Sequence, residues 1–167
     1  IAFVPEASGN NPSVEFYLND APISSGFLFQ STFDFGQFEL QRGPQGTLRG
    51  RASPSGSIAV TIRRPVLDEA GVVMNGTVTH RHAQKLDGAF NIPIIRDVLG
   101  VRIAGVVDRN RGNNVHSIKE ISDPAHNEGP FRRTEAIRAS VRFEPTDWIS
   151  ANIMYQKLHA EDHSFAQ

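Results

Sequence analysis

Apolar and polar positions follow two regimes that meet near Pro65. Downstream of it, long stretches alternate. Leu99, Val101, Ile103, Gly105 and Val107 hold the odd positions, while Arg102 and Asp108 face the other way. Ile137, Ala139, Val141 and Phe143 alternate with Thr134, Ala136, Arg138, Ser140 and Arg142. Ile149, Ala151, Ile153 and Tyr155 alternate with Ser150, Asn152 and Gln156. A period of two marks a strand with one apolar face. Each stretch runs for about 10 residues, the length a tilted strand needs to cross a bilayer. Two weaker segments precede them, near residues 72–82 and 86–95.

Upstream of Pro65 the segments are short. Val14-Glu15-Phe16-Tyr17-Leu18 predicts a strand, and Asn19-Asp20-Ala21-Pro22 predicts the turn that ends it. Phe27, Phe29, Phe33, Phe35 and Phe38 follow closely, and their mostly odd numbering predicts one buried aromatic face. Phe38-Glu39-Leu40-Gln41 predicts a second strand and Gly43-Pro44-Gln45-Gly46 a tight turn. Ser57-Ile58-Ala59-Val60-Thr61-Ile62 predicts a third strand, closed by Arg63-Arg64-Pro65. Helical periodicity is scarce, because 14 Gly and 10 Pro interrupt most windows long enough for a helix.

The connections narrow the architecture. Arg96-Asp97 and Glu144-Pro145-Thr146-Asp147 predict tight turns, with a long polar stretch between them over residues 111–133. Short turn, long loop, short turn is the rhythm of an outer-membrane barrel, and a soluble meander shares it. Arg138 and Arg142 fix the register. With odd positions towards lipid, both face a lumen; a one-residue slip would put them in hydrocarbon at roughly 2–4 kcal/mol each near the midplane.

Composition changes this picture little. The chain has 167 residues, 39% hydrophobic and 21% charged, with no run long enough for a membrane helix. That removes one membrane class and leaves the barrel, whose alternating strands average to a low hydropathy. A net charge of -1 gives no basic surplus, so no nucleic-acid partner is expected. Acids but no Lys or Arg occupy residues 1–41, whereas residues 42–64 carry Arg42, Arg49, Arg51, Arg63 and Arg64 and no acid. The absence of Cys removes disulfides, thiolate metal sites and Cys nucleophiles.

Candidate chemistries fare poorly. The glycines at 43, 46 and 50 lack the spacing and the Lys of a phosphate loop. His80 and His82 share a strand face without a third ligand, and the other four His fall in loops or near the end, so no metal site is expected. No Ser/His/Asp set or carboxylate pair is marked out by spacing, and neither an enzyme activity nor a cofactor is expected.

The densest signal is Phe38-Glu39-Leu40-Gln41-Arg42-Gly43-Pro44-Gln45-Gly46-Thr47-Leu48-Arg49-Gly50-Arg51, continuing through Gly56, Ile58 and Thr61 to Pro65. It closely resembles the end of the plug domain of TonB-dependent outer-membrane receptors, approximately V-E-V-L-R-G-P-Q-G-x-L-Y-G-R-x-x-x-G-G-x-I-N-x-x-T-x-x-P. Arg49 stands where that pattern has Tyr, and Ser57 where it has Gly. Val14–Pro22 resembles the family's plug strand and turn. Leu99-Gly100-Val101-Arg102-Ile103-Ala104-Gly105 resembles an early barrel strand, and Arg142-Phe143-Glu144-Pro145-Thr146-Asp147 a barrel turn.

The resemblance implies a mainly β chain. Residues 1–66 would be the C-terminal part of a plug domain. Residues 67–167 would be the first roughly five antiparallel strands of an incomplete transmembrane β-barrel. Barrels of this class have about 22 strands, so such a chain would be a fragment, lacking the signal peptide and the segment that contacts TonB. The implied function is energised uptake of a bulky, scarce ligand across the outer membrane of a Gram-negative bacterium, an iron–siderophore complex first among them. Implied partners are the inner-membrane TonB complex, that extracellular ligand and outer-membrane lipid. Glu39, Arg42, Gly43, Pro44, Gly46, Gly50 and Arg51 are the plug-motif residues, with Glu39 and Arg42 as candidate plug–barrel ion-pair partners. The competing expectation is a soluble secreted β-sheet domain that binds carbohydrate or protein.

Overall fold

A computed structural model describes residues 14–43, 55–79, 83–110 and 131–163. The chain divides into two compact units, Ile1–Arg63 and Arg64–Gln167.

The first unit holds β1 (Val14–Leu18), β2 (Ala21–Ile23), α1 (Ser25–Gln30), β3 (Phe35–Arg42) and β4 (Gly56–Ile62). Its strands form one sheet in the order β2-β1-β4-β3, with β1 and β4 parallel and the other pairs antiparallel. The β1–β2 hairpin turns on Asn19 and Asp20, both at positive φ, the geometry of a two-residue turn that follows strand twist. Asn and Asp tolerate that region better than most residues. Asn19 also ties the hairpin to β4. Its N–H donates to the Val60 carbonyl at 3.0 Å, and its Oδ1 accepts the Ile62 N–H at 2.9 Å. Phe16, Leu18, Leu28, Val60 and Ile62 form the core, with Val14, Ile23 and Ile58 packed against it.

The five phenylalanines do not share one buried face. Only Phe33 is fully buried, whereas Phe27, Phe29, Phe35 and Phe38 are all exposed by more than a third. For Phe27 and Phe29 the reason is α1, in which residues two apart stand about 200° round the axis, on nearly opposite faces. Ser24 caps that helix by accepting the Phe27 N–H at 3.3 Å.

The second unit is an up-and-down meander of five antiparallel strands, paired in chain order. These are β5 (Gly71–Val78), β6 (Ala83–Ile95), β7 (Leu99–Asn110), β8 (Phe131–Thr146) and β9 (Ile149–His163). Tight turns join β6 to β7 and β8 to β9 at one end. Val78 of β5, Ala83 of β6, Asn110 of β7 and Phe131 of β8 stand at the other. At the first turn Val98 N–H donates to the Ile95 carbonyl at 3.0 Å, and Asp97 takes φ 58. β8 runs on through Pro145, and the register shift between Phe143 and Thr146 absorbs that proline in a bulge. The observed turn is therefore shorter than the one expected at Glu144–Asp147.

Burial in this sheet is inverted. Its buried face carries Asn91, Arg102, Thr134, Arg138 and Ser140 between small Ala89, Ala104 and Ala136. Arg138 is 1% exposed, and its Nε donates to Gln156 Oε1 at 2.8 Å. The opposite face exposes Val72, Met74, Leu86, Phe90, Ile92, Ile103, Val107, Ile137, Ile153 and Tyr155.

Register stacks these side chains into rows across the strands. Val101, Ile92, Val141 and Ile153 form one row, and Val72, Phe90, Ile103, Ala139 and Tyr155 the next. The apolar character fades from Lys157, paired with Ile137, through Glu135 and His159 to Arg109, Arg133 and Glu161. From Leu99 to Val107 the apolar band measures about 27 Å along the strand, or about 20 Å once tilted by roughly 40°. Trp148 stands exposed at the tight-turn end, where an interfacial aromatic belongs.

Candidate functional site

Each unit holds a candidate region of its own. In the first, the expected motif begins on β3 and crosses to β4. Glu39 pairs in register with Ala59, and Arg42 with Gly56. Three residues apart on one strand, Glu39 and Arg42 point to opposite faces. Both are exposed, and Glu39 Oε1 accepts from Gln37 Nε2 at 3.1 Å. Gly43 follows at φ 85, so the chain leaves β3 in a conformation that suits glycine. Pro44, Gly46, Gly50 and Arg51 lie outside the described residues, as do His80 and His82.

Gly56 meets a stricter demand. It sits at φ 129, and a Cβ there would collide with the Gln41 carbonyl oxygen. Beside it, Ser57 Oγ donates to Gln41 Oε1 at 2.9 Å, a side-chain rung next to the point where the two strands approach closely.

In the second unit, residues 65–69 lie against the buried face of the sheet. Asn91 on β6 holds them like a short piece of strand. Its Oδ1 accepts the Val66 N–H at 2.9 Å, and its Nδ2 donates to the Val66 carbonyl at 2.9 Å and to the Glu69 carbonyl at 2.6 Å. One acceptor and two donor hydrogens are thereby used in a side chain 4% exposed. The Asp97 N–H donates to the Leu67 carbonyl at 3.1 Å. Arg142 Nη1 reaches the Pro65 carbonyl at 3.4 Å, while its Nη2 donates to Glu144 Oε2 at 2.7 Å. Ser150 Oγ donates to the other oxygen of Glu144 at 2.7 Å.

Gly100 makes room for this docking. A Cβ there would stand 2.9 Å from Leu67 Cδ2 and 3.1 Å from the Val66 carbonyl oxygen. Sequence reasoning passed over Asn91 and Gly100. Their only signals were a lone amide in the apolar run Ala89-Phe90-Asn91-Ile92 and a glycine at the start of an alternating strand.

Among the described residues no group of three His, Asp or Glu is placed to hold a metal ion. What the geometry supplies is a small sheet joined, by a fastened linker, to a wall with a polar buried face and an apolar exposed one.

Comparison with known proteins gives the same architecture. No family model matches the chain. The pesticin receptor of Yersinia enterocolitica is 35% identical over 66 residues, which is 40% of this chain and 10% of that protein. The Yersinia pestis pesticin receptor matches to the same extent. The match thus spans about a tenth of the length of these curated relatives. Among solved structures, the ferric-catecholate import receptor Fiu of E. coli K12 aligns with TM-score 0.68 at 18% identity, over 88% of this chain and 20% of that one. The alcaligin outer-membrane receptor FauA of Bordetella pertussis gives 0.67 at 18% identity, over 87% and 23%. The pyoverdine receptor FpvA of Pseudomonas aeruginosa gives 0.61 at 14% identity, over 85% and 20%. At such identities these likenesses speak for the fold, and the fold spans both units. With the expected motif on β3 and β4 and the inverted sheet after it, the chain is similar in sequence over 66 residues to the pesticin receptors and shares its fold with the plug and first barrel strands of these outer-membrane receptors.

Proposed function

We propose that this chain is the plug end and first wall strands of a receptor that imports ferric siderophores across a Gram-negative outer membrane, energised through TonB. Residues 1–66 serve as plug and residues 67–167 as wall. The inverted sheet carries the reading. A soluble domain would put Phe90, Ile103 and Ile153 inside and Arg102 and Arg138 outside, whereas a barrel around a polar lumen does the reverse. A contiguous apolar face of this kind would be an aggregation liability in water, which disfavours the secreted-domain alternative. The siderophore assignment draws on the relatives, whose names specify ferric-catecholate import, alcaligin and pyoverdine.

The test is growth of an iron-limited, uptake-deficient strain carrying the whole receptor. Supplied with ferric siderophores, it grows only when TonB is present. Growth that ignores TonB, or no growth on any siderophore, contradicts the reading.

Arg42 and Glu39 keep their proposed part as a releasable latch. Charges held in a lumen are partly desolvated, so such groups can hold firmly and still let go. Arg42→Ala should leave ligand affinity unchanged and lower energised uptake by about tenfold, the effect of roughly 1.4 kcal/mol on a limiting barrier. Labelled-siderophore binding and transport, measured on the same cells, separate the two; equal uptake in both receptors removes the latch.

A further inference from the structure

The linker between the units is fastened more thoroughly than a connecting loop requires. Pro65, Val66, Leu67 and Glu69 each give a backbone group to the wall, and the partners come from β6, the β6–β7 turn and β8. Val66 commits both its N–H and its carbonyl to the one Asn91 side chain. Leu67 is buried over Gly100, in space that any larger residue would fill. The chain resumes regular structure at Gly71, where β5 begins.

This arrangement has a mechanical consequence. Along the chain, load applied to the first unit passes through residues 63–70 before it meets β5. A free linker would pay out residues 65–70 before the load met β5, about 20 Å at roughly 3.3–3.6 Å per residue. A clasped linker stops at Pro65. Asn91 suits the task because its amide satisfies a strand-like N–H and C=O pair while its backbone stays in the β6 ladder, in register with Gly71 and Arg102.

We propose that Asn91 is a positioning residue that makes residues 65–69 a mechanical stop, confining traction on the plug to the chain upstream of Pro65. The idea rests on the uptake reading above for its purpose, but not for its test.

That test is single-molecule pulling on the whole receptor in a membrane, with the handle on the plug and the barrel held. In the wild type the extension ends at a contour length reaching Arg64. In Asn91→Ala it should end about 20 Å longer, at the start of β5. Asn91→Asp keeps the acceptor, loses both donors and sets a carboxylate against two carbonyls, so it should also give the longer endpoint. Hydrogen exchange supplies a second readout: the Val66 amide is protected in the wild type and exposed in both variants, with the β6–β7 ladder unchanged.

A wild-type endpoint already at β5, or identical endpoints in all three receptors, overturns the stop. If neither variant yields a heat-modifiable barrel, the clasp belongs to assembly and the stop is equally overturned. TonB-independent growth, by contrast, would sink the uptake reading and leave the endpoint shift standing.

Discussion

Ile103→Arg in the whole receptor should sharply reduce the heat-modifiable form recovered from the outer membrane. Ile103 stands 42% exposed in the middle of the apolar band, flanked in register by Phe90 and Ala139. A charge on the lipid side near the midplane costs about 2–4 kcal/mol. The neighbouring position gives the control. Arg102 is already an arginine and is buried on the other face, so the sheet holds this charge one residue away at no such cost. In a soluble sheet the same substitution would put a charge into water and change little. Equal recovery of wild type and Ile103→Arg would therefore remove the lipid-facing assignment.

Gly56→Ala should break the plug sheet while sparing the barrel. The added Cβ meets the Gln41 carbonyl oxygen, a backbone atom that cannot swing aside, and the backbone at φ 129 is strained for any side chain. Strain and overpacking together should cost about 3 kcal/mol. The lesion separates β3 from β4 where Arg42 pairs with Gly56, and frees the Ser57–Gln41 rung. Limited proteolysis reads the result. The plug unit should be cleaved much faster than in the wild type, while the barrel keeps its heat-modifiable mobility. A plug as resistant as the wild type's would show that the pairing tolerates the extra carbon.

Much of this architecture was legible in the residues, for reasons that can be named. β1 falls on the expected strand Val14–Leu18, because a short apolar run followed by Asn-Asp leaves few other readings. β7, β8 and β9 were legible from their period of two, which a lipid-facing wall preserves while reversing which face is apolar. That reversal is also why alternation alone left a soluble sheet open. Only burial, with Arg138 inside and Ile153 outside, tells the two apart.

What escaped sequence reasoning depends on tertiary partners. The six-residue α1 is too short for a periodic signal, and phenylalanines two apart imitate a strand face. Glu39 and Arg42 are neighbours in the motif, yet the strand sends them to opposite faces. Asn91 and Gly100 have no local signal that sets them apart. Their meaning appears when the chain from 65 to 69, more than twenty residues away along the sequence, docks against β6 and β7.

The central claim is that the second unit is a membrane wall with its odd β7 positions in lipid. Spin labels placed singly along β7, from residue 99 to residue 107 of the whole receptor in its membrane, test it most directly. The account predicts that labels at 101, 103 and 105 are relaxed strongly by oxygen and weakly by a water-soluble nickel complex. Labels at 102, 104 and 106 should lack that oxygen-rich signature, giving a period of two. High nickel accessibility on the odd positions, or no period of two, would contradict it.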